Sequence, residues 1–141
     1  MQVTEVYRPE QNLRLSIPFF SASIPAGFPS PGDDYIDKSL DLNDLVSNPA
    51  ATFIMRVEGH SMAGAGINND DLLIVDRSVK AEDNSIVVAS FNGELIVRRL
   101  KVHNSRYYLV SENPGSRPLE IHPEADFEIY GVVTYSITKH G

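Results

Sequence analysis

A chain of 141 residues, 42% apolar and 22% charged, has room for one small domain around a single core, with a tail. Its net charge of −7, from 19 acids against 12 bases, argues against a protein that grips nucleic acid by phosphate neutralisation. With no cysteine there is no disulfide framework and no thiol chemistry, and no apolar run approaches the ~18 residues of a membrane helix. The first residues, "MQVTEVYRPEQ", lack the charged-then-apolar layout of a secretory signal, so a cytoplasmic protein is expected.

Residues 1–38 read as an irregular, proline-punctuated arm and connector, followed by a β domain over 39–141. Within the arm, "LRLSIPFF" is apolar enough to dock on something. "IPAGFPSPGDDY" has three prolines and two glycines in twelve residues, which excludes helix or central strand. "SLDLNDLVSN", from Ser39 to Asn48, predicts a short helix with Leu40, Leu45 and Val46 as a partial stripe, Asp41 as cap and Pro49 as stop.

From residue 51 the pattern turns to strand. Six runs follow: "ATFIMRVEG", "DLLIVDR", "NSIVVASFNG", "ELIVRRLKV", "RYYLVSE" and "DFEIYGVVTYSI". Asn92-Gly93, between two of them, is a two-residue hairpin signal. The expected fold is mostly β: a small, curled, antiparallel domain.

Little of the usual site chemistry is present. His60, His103, His122 and His140 are scattered without paired spacing, so no metal site is expected, and no glycine-rich phosphate loop or cofactor motif occurs. The acidic pairs at 33–34 and 70–71 lie in turn contexts and read as solvated turn residues. The basic stretch Val97–Arg106 reads as a solvated strand face rather than a DNA surface. One serine stands out. In "VEGHSM", Ser61 sits in a glycine-broken turn between two strand runs, where a hydroxyl is either ordinary turn chemistry or a nucleophile awaiting a base.

Taken in order, "AGFPSP" (26–31), "DYIDKSLDLNDL" (34–45), "VEGHSM" (57–62), "GINNDDLLIVDRS" (66–78) and "GELIVRRL" (93–100) resemble the LexA/UmuD family of self-cleaving serine peptidases, over about residues 17–136. Within it the likeness is to the UmuD-like branch, the SOS-mutagenesis subunits that partner an error-prone polymerase. The resemblance implies a LexA/signal-peptidase-like β domain whose flexible N-terminal arm carries the scissile bond. By position, the nucleophile falls on Ser61 and the scissile peptide on Ala26–Gly27.

The family's chemistry uses a serine–lysine pair. A buried, neutral lysine takes the hydroxyl proton, and backbone N–H groups near the serine hold the oxyanion. The lysine belongs on the strand after the hairpin, 37 residues beyond the serine, and that position holds Arg98. Lowering a lysine from about 10.4 to about 7 costs roughly 5 kcal/mol, against roughly 9 kcal/mol for an arginine, which starts several units higher. The gap is about three decades in the population of neutral base, so Arg98 should be a very poor base that still preserves the shape of the site. Arg99 and Lys101 should face away by strand alternation. His60, where the family more usually has Asp, reads as a surface histidine. Two origins fit the arginine: a natural departure, or an introduced Lys-to-Arg change.

The resemblance therefore implies a homodimer that cleaves itself at Ala26–Gly27 when stimulated by a RecA–single-stranded-DNA filament. Its product would serve a Y-family error-prone polymerase in translesion DNA synthesis. A second reading is a non-cleaving polymerase accessory or regulator on the same fold. A third, a LexA-type repressor, calls for a DNA-binding domain of some sixty residues before the cleavage site, where this chain has 26.

Overall fold

The computed structural model describes residues 1–8, 16–20 and 36–141, with side chains for 1–8 and 42–141. Ala26 and Gly27 lie outside the described residues. The chain's contacts divide it into two units, Met1–Pro9 with Asn48–Gly141, and Glu10–Ser47.

The first unit is built on strands β1 (Gln2–Tyr7), β4 (Thr52–Glu58), β5 (Leu72–Asp76), β6 (Ile86–Phe91), β7 (Glu94–His103), β8 (Arg106–Val110), β9 (Leu119–Glu120) and β10 (Phe127–Ile137). They form one sheet in the order β1-β4-β5-β10-β6-β7-β8-β9, every pairing antiparallel. Gln2 also pairs with Ile96 of β7, so β1 bridges two otherwise distant strands and the sheet curls back on itself. All six expected runs are strands, and the mostly β, antiparallel, curled fold is the one found.

The β6–β7 hairpin shows how local sequence sets this register. Phe91 pairs with Glu94 across Asn92-Gly93, whose φ angles of 50° and 83° are both positive, as a type I′ turn requires. No register shift interrupts β6–β7 or β7–β8, so alternation along β7 is preserved to its end.

Because the sheet curls, apolar residues on both faces of the central strands are buried. One cluster gathers Met1, Met55, Val57, Met62, Ile67, Leu73, Val75, Val88 and Val97. The other holds Val87, Ala89, Ile96, Leu100, Leu109 and Val132. Each large side chain removed from water contributes roughly 1.5–3 kcal/mol, so the first cluster ties the turn bearing Ser61 to the strands through Met62.

Three sequence expectations need correction. The N-terminal residues are not irregular throughout, since Gln2–Tyr7 is a strand paired along β4. The run "VTEVY" is rich in strand-forming residues, and β4 offers it a full edge. Nor is 39–48 a helix. In the second unit, β2 (Ser16–Phe20) pairs with β3 (Ile36–Asp41), and Ser39, Leu40 and Asp41 are used in that ladder. Only Leu42–Leu45 remains, as one 3₁₀ turn, too short to support an α-helix on its own. Pro18 lies within β2, which among the described residues has a partner strand on one side only, where proline's missing donor is tolerated. Finally, Asp71 is not a solvated turn residue. It is 1% exposed, its Oδ2 accepts from the Asn68 N–H at 2.7 Å, and its Oδ1 has no partner among the described residues.

Candidate active site

Ser61 stands at the start of a tight turn that follows β4. The Ala63 N–H donates to the His60 carbonyl, Ala63–Ala65 forms a 3₁₀ turn, and Ile67 N–H returns to the Met62 carbonyl. Met62 is fully buried, so the residue beside Ser61 anchors the turn while Ser61 itself stays half-buried. From the other side, Glu112 N–H donates to the Ser61 carbonyl at 2.7 Å, and Gly64 N–H donates to the Glu112 carbonyl at 3.0 Å. A Cβ on Gly64 would meet that carbonyl oxygen at 2.4 Å, so only glycine permits this approach.

Two groups converge on the Ser61 hydroxyl. Arg98, half-buried on β7, donates from Nη1 to Ser61 Oγ at 3.0 Å and to its neighbour's carbonyl, Val97 O, at 2.7 Å. The α-ammonium of Met1 donates to the same Oγ at 2.6 Å. Met1 reaches it because β1 enters the gap between β4 and β7: Val97 N–H donates to the Met1 carbonyl at 3.0 Å, and Met1 is only 7% exposed. Gly59, with φ of 112°, gives way to it, since a Cβ there would stand 3.2 Å from Met1 Cα.

The electrostatics follow from this crowding of two cations. Burial, and then the charge of Arg98, push the Met1 amino group down from 8.0 to about 6. Burial also lowers Arg98 from the usual arginine range. Among the described residues Arg98 has no carboxylate within ion-pair distance, and its charge is the second cause of the lowered amine pKa after burial. Beside them opens a cleft of about 660 Å³ lined by Met1, Gly59, Glu94, Ile96 and Arg98.

The other basic residues of β7 and β8 are engaged elsewhere. Arg99 pairs with Glu112 and donates to the Asn84 carbonyl, Lys101 reaches Asn84 Oδ1, and Arg106 pairs with Glu120 at 3.2 Å. Alternation thus sends Arg99 and Lys101 away from Ser61. The basic stretch is occupied by the protein's own acceptors rather than laid out as a phosphate track. His60 is exposed. Met1 is the site component that reading by residue type missed. The strand-forming "VTEVY" could have placed β1, but the chemistry of an α-amine is written in no side chain.

Comparison with known proteins agrees with this architecture. Residues 18–134 match the model of the family described as Peptidase S24-like. Protein ImpA of Escherichia coli is 45% identical over 124 residues, covering 86% of this chain and 83% of ImpA. Protein SamA of Salmonella typhimurium is 41% identical over 133 residues, 93% of this chain and 92% of SamA. The LexA repressor of Bordetella avium is 32% identical over 117 residues, which is 83% of this chain but 55% of the repressor. A matched family model over most of the length, and relatives of nearly the same extent, lead to one conclusion: the chain belongs to the Peptidase S24-like family of self-cleaving serine peptidases, as a UmuD-like member of its LexA/UmuD group.

Proposed function

We propose that this chain cleaves its own Ala26–Gly27 peptide with Ser61 as nucleophile, and that the shortened product acts in SOS mutagenesis as the accessory subunit of a Y-family translesion polymerase. The observation that carries the reading is the 3.0 Å contact between Arg98 Nη1 and Ser61 Oγ, across 37 residues of sequence. A side chain at the position expected for the base reaches the hydroxyl expected to attack.

Chemically, Ser61 Oγ adds to the Ala26 carbonyl carbon, N–H groups near Ser61 hold the oxyanion, and the Gly27 amine leaves. Water then releases the acyl group. Arg98 keeps the hydroxyl oriented and, as a cation, donates to Oγ, but it is a poor acceptor of the proton. That donor role also supports a second reading, a non-cleaving polymerase accessory on the same fold. The protein would act as a homodimer, and a RecA–single-stranded-DNA filament would accelerate cleavage.

The test is to incubate the Arg98→Lys chain with activated RecA filament and to follow intact mass. Appearance of fragment 27–141, faster with the filament than without it, is expected. An Arg98→Lys chain that stays whole under both conditions would remove the self-peptidase reading and leave the accessory one.

A further inference from the structure

Arg98 is a poor proton acceptor, and a second nitrogen, that of the Met1 amine, lies closer to the hydroxyl. We propose that, in a chain whose first residue is Met1, the α-amino nitrogen of Met1 is the proton acceptor for Ser61. This rests on the reading of Ser61 as nucleophile.

The geometry meets each requirement of a general base. The nitrogen is 2.6 Å from Oγ, within direct proton-transfer reach. It is held there by backbone and by core packing, not by a flexible side chain. The Val97 N–H bond to the Met1 carbonyl fixes the peptide, and the Met1 side chain is part of the core cluster with Met55, Val57 and Met62. The charged groups that face it are Arg98 from β7 and, lining the same cleft, Glu94 at the start of β7 and Glu58 at the end of β4. Glu94 is engaged with Gln2 Nε2 at 3.3 Å. Arg98 is thus the cation in the immediate contact shell, and it favours the neutral amine. An α-amine serving as base to a hydroxyl nucleophile is established chemistry in peptidases whose nucleophile is the first residue. Here the same pairing would be made between two distant points of the chain.

The steps balance without a further reagent. The neutral amine takes the Oγ proton as Oγ bonds to the Ala26 carbonyl carbon. The resulting ammonium gives that proton to the Gly27 nitrogen as the C–N bond breaks. In the second half the amine takes a proton from water as the hydroxide adds to the ester, then returns it to Ser61 Oγ. The net change is one amide and one water converted to a carboxyl and an amine. Arg98 donates to Oγ throughout, stabilising the developing alkoxide.

The experiment measures Ser61 phosphonylation by a small fluorophosphonate, by intact mass and peptide mapping, between pH 5 and 9. It compares three full-length chains: one beginning at Met1, one preceded by Gly-Ser, and the Gly-Ser chain carrying Arg98→Lys. The Met1 chain should react at Ser61 with a rate that rises with a midpoint near pH 6. The extension converts the amine to an amide and should slow the reaction by 100-fold or more, the usual contribution of a general base. Arg98→Lys should restore labelling in the extended chain, which also shows that the extension leaves the fold intact. Equal rates for the Met1 and extended chains would overturn the proposal. If only the Arg98→Lys chain is labelled, the amine proposal falls and Ser61 remains the nucleophile. Labelling of no chain overturns both.

Discussion

Ser61 Oγ and Arg98 Nη1 lie 3.0 Å apart, joined by a hydrogen bond between a turn after β4 and the middle of β7. The arginine therefore reaches the serine hydroxyl as a hydrogen-bond donor, not as an acceptor. Every polar group it presents to the serine is an N–H donor, and its usual pKa lies far above neutrality. The question of activity becomes one of where the proton goes.

The first expected outcome concerns that proton. In a chain whose α-amine is blocked by an N-terminal extension, Arg98→Lys should raise the rate of Ser61-dependent cleavage by about three decades, following the cost difference between neutral lysine and neutral arginine. Single-turnover mass spectrometry of fragment 27–141 measures it. A gain under tenfold would mean that residue 98 does not hold the base's position.

A pH dependence of stability follows from Met1. In the fold its amine releases the proton near pH 6, whereas in the unfolded chain it does so near 8.0. Between these values the unfolded chain binds more protons, so stability rises with pH across 6 to 8 and this contribution is flat above. Allowing for water at the cleft, the rise should be about 1–2 kcal/mol. Urea unfolding at pH 5.5 and 8.5 checks it, with the N-terminally extended chain as the control that should lack the slope.

Arg98→Met keeps the stem and removes the charge. Since burial is the larger cause of the lowered Met1 pKa and Arg98 the smaller, the midpoint of Ser61 labelling should move up from about 6 without reaching 8.0. A midpoint that stays fixed would show that the titrating group is not beside Arg98.

Gly64→Ala places a Cβ 2.4 Å from the Glu112 carbonyl oxygen, a backbone atom that cannot turn aside. The cost should be about 1–3 kcal/mol by chemical denaturation. Because Glu112 N–H also holds the Ser61 carbonyl, Ser61 labelling should slow as well. Met62→Ala, which empties a fully buried site next to Ser61, should cost about 2–5 kcal/mol.

Much of the fold is legible in the sequence, for reasons that particular residues make plain. The six strands after residue 51 carry runs of Val, Ile and Leu bounded by turn residues, and Asn92-Gly93 dictates its own hairpin. Motif and counting single out Ser61 and Arg98, whose side chains the fold brings to 3.0 Å. What escapes is non-local. Whether Gln2–Tyr7 is a strand depends on the free edge of β4 and the gap beside β7, neither of which is visible in its six letters. Asp71 looks like half of a solvated pair until the turn that holds Asn68 closes over it. The amine of Met1 has no letter at all.

The central claim is that the group at position 61 attacks the chain's own arm, and the absence of cysteine offers a direct test. In the Arg98→Lys background, Ser61→Cys introduces the molecule's single thiol. Fragment 27–141 should form in that chain and be abolished by prior alkylation with iodoacetamide, and Ser61→Ala should yield none. Cleavage at Ala26–Gly27 that survives alkylation, or persists with alanine at 61, would contradict the account.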